Sequence, residues 1–143
     1  MKIRNGFVSN SSSSSFVLIK DVLNPIQIDM ILDYHYYVNE IMKSETIDES
    51  IKNKFEYFDE WLWRITEFDD FLFGTCDMDN FSFSDYLEYI NVDEKYIKWD
   101  DGYIDNPTQS QIDSINKMKI YIRRDKINNI NNIKKDKEYD SNL

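Results

Sequence analysis

Cysteine, histidine, glycine and proline are all scarce in this chain of 143 residues. It holds one cysteine, Cys76, and one histidine, His35, together with three glycines and two prolines. A single cysteine excludes an internal disulfide, and one Cys with one His cannot complete a structural zinc site. So few glycines and prolines argue against a fold made mainly of loops. We therefore expect a globular domain with an apolar core, no cofactor and no metal.

Long hydrophobic runs are also missing. The apolar run Phe16–Ile19 is too short for the core of a signal peptide. No segment approaches the roughly 20 apolar residues that span a bilayer. We therefore expect an intracellular protein that does not bind a membrane.

Charge is strongly biased toward acidic residues, and the net charge is −10. Residues 21–116 hold 23 acidic and six basic side chains, a net of −17, whereas residues 1–20 carry +3 and residues 117–143 carry +4. An acidic surface of this size repels nucleic acid and anionic membranes. It favours a protein partner with a basic surface, and we expect no direct contact with nucleic acid.

The first half of the chain predicts a strand followed by two helices. Phe16–Ile19 is typical of a short buried strand. The Asn24-Pro25 pair is a helix start, and apolar residues at helical spacing predict a helix over residues 25–43. A capping-box pattern at Thr46 predicts a second helix over residues 47–59.

The second half predicts a hairpin, two further helices and another strand. Residues 61–76 contain bulky and β-branched side chains on both sides of a turn at Asp69-Asp70, which predicts a β-hairpin. Three more elements follow from similar signals: a capped helix over 83–91, a strand over 95–99 and a helix that begins at Asn106-Pro107.

These elements together predict the α+β class. We expect a small, mainly antiparallel sheet that includes the hairpin about 61–76 and packs against three to four helices. Residues 1–127 are predicted to be a single domain. Residues 128–143 are rich in Asn and Lys and low in complexity, and they are predicted to be a flexible tail.

Residues 9–15 form a serine-rich run between two apolar patches, Phe7-Val8 and Phe16-Val17. Three interpretations stay open. The run is a flexible linker, or an ordered segment whose hydroxyls satisfy neighbouring backbone groups, or a cradle for an anion. For the anion cradle, the segment lacks the glycine and lysine of a phosphate-binding loop.

The segment Gly6-Phe-Val-Ser-Asn-Ser-Ser-Ser-Ser-Ser-Phe16 resembles the N-terminus of a family of small proteins encoded by large tailed bacteriophages and some bacterial genomes. Phe73-Gly-Thr75 and Met78-Asp-Asn-Phe81, with a helix after them, are similar to the central motif of the same family. The resemblance covers about residues 1–99 and implies a phage or prophage accessory protein. It implies no catalytic or binding residues.

The stretch from Asp69 to Asp105 combines many carboxylates with interleaved aromatic side chains. Carboxylates attract a basic partner surface, and Tyr side chains provide anchors in protein interfaces. The alternative interpretation is a solvated acidic surface over an aromatic core. The predicted partner-binding residues are Asp69, Asp70, Asp77, Asp79, Asp85, Glu88, Tyr89, Asp93, Glu94, Tyr96, Asp100, Asp101 and Tyr103.

Two patterns that could carry chemistry are weak. Cys76 and His35 form a catalytic dyad only if the fold brings them together, and a lone buried Cys is much commoner than such a dyad. Four acids between Asp77 and Glu88 match part of a calcium-loop template, but the loop lacks one oxygen ligand and the turn glycine. Weak binding of a divalent cation stays open. We expect no enzyme activity.

These observations predict a phage-encoded accessory protein in the host cytoplasm. It would bind and inhibit a host or defence-system protein through its acidic, aromatic-rich face, and nucleic-acid mimicry is one form of this function. The alternative is a virion-associated structural component that docks through its N-terminal segment. A small modifying enzyme built from Asp and Ser is a third class, and no motif requires it.

Overall fold

The computed structural model of the chain describes residues 13–55, 63–77 and 82–141, with the backbone alone for residues 132–141. Within these residues, two short 3-10 helices cover Lys20–Val22 and Glu94–Tyr96. The longer elements, in chain order, are β1 (Ser14–Ile19), α1 (Pro25–Leu32), α2 (Tyr34–Lys43), α3 (Glu49–Lys54), β2 (Trp63–Glu67), β3 (Phe71–Cys76), α4 (Phe83–Tyr89), β4 (Ile97–Asp101) and α5 (Gln109–Ser141).

The four strands form one antiparallel sheet in the order β2-β3-β1-β4. Strands β2 and β3 are the predicted hairpin, with its turn at Asp69-Asp70. Strand β1 lies inside the sheet, where Ser14 pairs with Cys76 of β3 and with Asp101 of β4. The predicted α+β class, with a small antiparallel sheet, is confirmed.

Part of the serine-rich run belongs to the central strand. Ser14 and Ser15 are the first two residues of β1, and both are buried. The linker interpretation is therefore wrong for these two residues, because their backbone groups pair with strands on both sides. Residues 9–12 lie outside the described part of the chain.

The main core lies on one face of the sheet, beneath α1, α2 and α4. Phe16 and Leu18 point to this face, and the Phe16 ring lies 5.3 Å from the ring of Phe83, between centroids. Gly74 stands opposite Phe16 on β3, where a Cβ atom would lie 2.2 Å from Phe16 Cε1. Glycine is therefore required at position 74, because any other side chain would collide with the buried ring.

Helix α5 covers the other face of the sheet. Val17 and Phe73 on this face are buried with Ile115 and Ile122 of α5 in a second apolar cluster. Because helices pack on both faces, every residue of β1 is buried. Burying each aliphatic or aromatic side chain stabilises the fold by about 1.5–3 kcal/mol before the entropy cost of ordering the chain.

The single helix predicted over residues 25–43 is wrong, because the chain forms two helices that break at Asp33. Its backbone angles, φ −112° and ψ 40°, are not helical. The next residue, Tyr34, is buried, and its hydroxyl donates to the Trp63 carbonyl at 3.0 Å and accepts from the Trp63 N–H at 3.1 Å. The break therefore lies where a core tyrosine attaches the helices to β2.

Two predicted helix starts are also wrong. Helix α3 is capped by Asp48, whose carboxylate accepts from the Ser50 N–H at 3.1 Å, and not by Thr46. Helix α5 begins at Gln109, two residues after Pro107. The predicted end of the second helix, residues 56–59, lies outside the described part of the chain.

The middle of the chain follows its predictions closely. Ser82 caps α4 by accepting from the Asp85 N–H at 3.2 Å, as the capping-box pattern indicates. The strand predicted over residues 95–99 is displaced by two residues, because Asp93 caps a 3-10 helix over Glu94–Tyr96. Gly102, directly after β4, has a φ of +91°, a left-handed conformation that favours glycine.

Helix α5 is much longer than the sheet that it covers. Its 33 residues span about 50 Å, whereas a six-residue strand spans about 20 Å. Residues 128–141 have a helical backbone, and the flexibility of residues 128–143 stays a prediction. Among the described residues, no helix combines the length and apolar character needed to cross a bilayer.

Candidate functional site

The predicted binding residues are spread along the length of the sheet. Asp70 precedes β3 and Asp77 follows it, so the whole strand separates them. Seven residue steps along an extended chain correspond to about 23 Å. The acidic stretch from Asp69 to Asp105 is therefore divided between the two ends of the sheet.

At the hairpin turn, basic residues compensate the acidic ones. Lys20 Nζ lies 2.7 Å from Glu67 Oε2, and the Lys119 ammonium forms an ion pair with Asp70. The Lys20 N–H also donates to the Asp70 carbonyl at 2.9 Å. Asp70 therefore joins the hairpin to α5, and this end offers little uncompensated charge beyond Asp69.

The predicted residues near position 93 serve local structure. Asp93 caps the 3-10 helix by accepting from the Lys95 N–H at 3.0 Å, and Lys95 Nζ lies 3.8 Å from the same carboxylate. Tyr89 and Tyr96 are half-buried and pack against the main core. These two tyrosines match the alternative interpretation, in which aromatic residues belong to the core.

Three of the remaining predicted acids lie in or beside short helices. Asp85 is half-buried in the first turn of α4, Glu88 is exposed on the same helix, and Glu94 opens the 3-10 helix before β4. Asp79 lies outside the described residues. Neither the calcium-loop pattern nor a continuous surface through these acids is tested by the structure.

A second group of acids lies together at the end of the sheet where β3 and β4 finish. We call Asp77, Asp101, Tyr103 and Asp105 the acidic edge. Cys76 and Asp101 pair with Ser14 from opposite sides, so Asp77 and Asp101 are about two strand spacings apart, roughly 10 Å. All four residues are exposed.

The carboxylates of the acidic edge are not compensated in the described part of the chain. There, Asp77, Asp101 and Asp105 have no basic side chain within 4.0 Å. The Arg64 guanidinium lies 5.9 Å from the centre of the Tyr103 ring. Asp77, Asp101 and Tyr103 belong to the predicted binding residues, and Asp105 adds a third exposed carboxylate at this end of the sheet.

A network of polar side chains holds the acidic edge to the fold. Ser15, Thr75 and Asp100 lie opposite one another on three neighbouring strands and face α5. Gln111 Nε2 donates to Ser15 Oγ at 3.2 Å, and Thr108 Oγ1 donates to Asp100 Oδ2 at 3.1 Å. These bonds tie the start of α5 to the sheet directly beside the acidic edge.

The same network fixes the loop that carries Tyr103 and Asp105. The Ile104 N–H donates to Thr75 Oγ1 at 3.3 Å, so the loop crosses the sheet from β4 toward β3. Thr108 and Gln111 also form a reciprocal cap, with Gln111 N–H to Thr108 Oγ1 at 3.1 Å and Thr108 N–H to Gln111 Oε1 at 3.0 Å. The loop that carries Tyr103 and Asp105 is therefore hydrogen-bonded to β3 and leads into the capped start of α5.

Sequence reasoning did not identify this network, although one signal was available. Thr108 and Gln111 have the spacing of a capping box, which marks the start of α5. The contact between Gln111 and Ser15 had no such signal, because it joins residues 96 positions apart. Asp100 belongs to the network and is half-buried, whereas Asp101 is exposed to solvent.

The side chains that could act in catalysis or bind a metal ion do not come together in the described part of the chain. Cys76 is fully buried among core residues, whereas the His35 imidazole is exposed and lies 3.3 Å from Asp33. Over residues 13–55, 63–77 and 82–141, no three His, Cys, Asp or Glu side chains converge to hold a metal ion. An open cavity of about 280 Å³ lies beside α5, lined by Lys95, Tyr96, Lys117, Met118 and Tyr121.

Comparison of the chain with family models, with curated proteins and with solved structures finds no match. The acidic edge and its charge are therefore the features of the described residues from which a function can be inferred.

Proposed function

We propose that this chain is a phage-encoded accessory protein that binds and inhibits a host or defence-system protein through the acidic edge. The observation that carries the proposal is the group of exposed carboxylates at Asp77, Asp101 and Asp105, which form no ion pair within the described residues, together with the exposed Tyr103. Such a group attracts a basic surface and increases the rate of association. The location would be the host cytoplasm.

Support for a binding function also comes from the way in which the edge is held. A preorganised surface loses less conformational entropy on binding than a mobile loop. The bonds from Thr75 to Ile104 and from Asp100 to Thr108 hold the loop before α5 in place. Tyr103 can then act as an aromatic anchor between carboxylates, a combination typical of interface centres and their polar rims.

The test is affinity capture from a host lysate with three forms of the protein. The edge variant carries Asp77→Lys, Asp101→Lys and Asp105→Lys. The matched control carries Asp21→Lys, Glu40→Lys and Glu45→Lys, which change the net charge equally at exposed positions elsewhere. Asp100 is left unchanged, because its bond to Thr108 supports the fold.

We expect the wild type and the control to retain one specific partner at low salt, and the edge variant to lose it. Retention by the edge variant, or no specific partner for the wild type, would contradict the proposal. Circular dichroism of each variant checks that the fold is preserved. In the mimicry form of the function, added duplex DNA displaces the partner, because carboxylates and phosphates then compete for one groove.

The alternative is a virion-associated structural component that docks through its N-terminal segment. Mass spectrometry of purified particles separates the two functions. Many copies in each particle favour the structural role, whereas absence from particles and expression early in infection favour the inhibitor.

A further inference from the structure

The described side chains of α5 beyond Ile122 are all exposed. Ile122 is the last buried residue among the described side chains of α5, and those from Arg123 to Asn131 are exposed. We call residues 123–141 the α5 arm. Its 19 residues correspond to about 28 Å of helix.

The arm is poorly suited to be a helix on its own. Most of the stability of a helix in a protein comes from the packing of one of its faces, and the described side chains of the arm are all exposed. The described part of the arm contains Asn128, Asn129 and Asn131, and asparagine is a weak helix former. A surface that packs along the arm would supply the tertiary contacts that stabilise most helices in proteins.

One side of α5 shows where such a surface would pack. Ile120, Ile127 and Ile130 are 52%, 57% and 53% exposed. Ile120 and Ile127 are two turns apart on one side of the helix, and Ile130 follows one turn later. Arg123 and Arg124 lie in the turn between the first two. Ile120, Ile127 and Ile130 therefore form an apolar stripe along this side of α5, with arginine side chains beside it.

A surface with complementary character lies on α1 and α2. We call Ile26, Asp29, Asp33, Tyr36 and Tyr37 the α1–α2 patch. Ile26 and Tyr36 are 68% and 53% exposed, and they are the most exposed large hydrophobic residues in the described part of the chain outside α5. Ile26, Asp29 and Asp33 follow at steps of three and four residues and share one side of α1.

Contacts between side chains make the α1–α2 patch continuous. The Tyr37 hydroxyl donates to Asp29 Oδ2 at 2.5 Å, and this bond raises the pKa of Tyr37. The rings of Tyr36 and Tyr37 meet edge to face, with their centroids 5.3 Å apart. The patch therefore offers exposed apolar area next to two carboxylates, which is the counterpart of an isoleucine stripe flanked by arginines.

We infer that the α5 arm of one molecule packs against the α1–α2 patch of a second copy of this chain. The exchange is reciprocal in a dimer with twofold symmetry, because each copy has one arm and one patch. Charge complementarity selects this partner, since the arm is basic and residues 21–116 carry a net charge of −17. Nucleic acid fits less well, because the whole chain is acidic and the stripe is apolar.

The test uses two charge-reversed variants. The arm variant is Arg123→Glu with Arg124→Glu, and the patch variant is Asp29→Lys with Asp33→Lys. Sedimentation velocity measures the mass of each variant alone and of an equal mixture. The matched control is Lys43→Glu with Lys54→Glu, which reverses two exposed basic residues on α2 and α3.

The wild type and the control are expected to dimerise at high protein concentration, with twice the monomer mass of 17.3 kDa. Each variant alone should dimerise at least about tenfold more weakly, because like charges meet at both contacts. The mixture should recover the dimer, since a reversed arm then meets a reversed patch at one contact and the native pair meets at the other. A misfolded variant could not give this recovery.

Three results would overturn the inference. One is a wild type that stays monomeric at every concentration tested. Another is a pair of variants that dimerise as well as the wild type, which would place the interface elsewhere. The third is tight binding of a fluorescent duplex DNA that the arm variant loses, which would assign the arm to nucleic acid.

Discussion

The Gln111 amide donates a hydrogen bond from Nε2 to Ser15 Oγ at 3.2 Å, and so joins two fully buried residues that lie 96 positions apart. Ser15 lies in the central strand, and Gln111 lies in the first turn of α5. Because Gln111 also caps this helix, one side chain connects the serine-rich run, the start of α5 and the loop that carries Tyr103.

Replacing Gln111 should therefore destabilise the protein. Gln111→Leu removes the acceptor of the Thr108 N–H and leaves Ser15 Oγ buried without its donor, which should lower the free energy of unfolding by about 1–3 kcal/mol. Urea denaturation followed by circular dichroism measures the change. The control Gln109→Leu, at an exposed position two residues earlier, should change stability by less than about 0.5 kcal/mol. Equal effects of the two substitutions would contradict the role of the network.

Gly74 should not tolerate a side chain, because Phe16 occupies the space. Gly74→Ala should cost about 1–3 kcal/mol of unfolding free energy through overpacking. Adding the same substitution to a Phe16→Leu background should cost less, because the smaller side chain leaves room for the methyl group. Thermal unfolding of the four forms gives this comparison. Additive effects would show that Phe16 is not the obstacle.

Alkaline pH should weaken the fold through Tyr86. Burial raises the pKa of this tyrosine above its ordinary value of 10, and its hydroxyl donates to the Met30 carbonyl at 2.7 Å. The folded state therefore holds the proton more tightly than the unfolded state. The resulting stability is complete below pH 10 and is lost as the pH rises toward the folded pKa, at up to about 1.4 kcal/mol per pH unit.

Tyr86→Phe separates this contribution from other alkaline effects. The variant should lose about 1 kcal/mol at neutral pH, because the bond to Met30 is absent. Above pH 10 its stability should fall less steeply than that of the wild type. Denaturant titrations between pH 8 and pH 11 provide the measurement, and parallel curves for the two proteins would rule out Tyr86 as the source.

The sequence predicted correctly those elements that are determined by residues close to one another along the chain. The hairpin with its turn at Asp69-Asp70 and the cap of α4 at Ser82 are confirmed, because both are fixed within a few residues. The break at Asp33 had no such signal. It accompanies the contact between Tyr34 and Trp63, which lie 29 positions apart.

The same limit explains the serine-rich run and the candidate site. Serine composition favours a linker, yet Ser15 is buried in a central strand because β3, β4 and Gln111 surround it. Acids that are close in sequence predict one binding face, and the position of β3 between Asp70 and Asp77 places these two residues at opposite ends of the sheet. Sequence proximity does not reveal strand order, and the acidic edge emerges only from the register of three strands.

The most direct test of the proposed function is the affinity of the captured partner for the acidic edge, measured by isothermal titration calorimetry at low and high salt. We expect Asp77→Lys, Asp101→Lys and Asp105→Lys together to abolish binding. The control with Asp21→Lys, Glu40→Lys and Glu45→Lys should bind as the wild type does, and high salt should weaken wild-type binding. Equal loss in both triple variants, or wild-type binding that salt does not change, would contradict the proposed function.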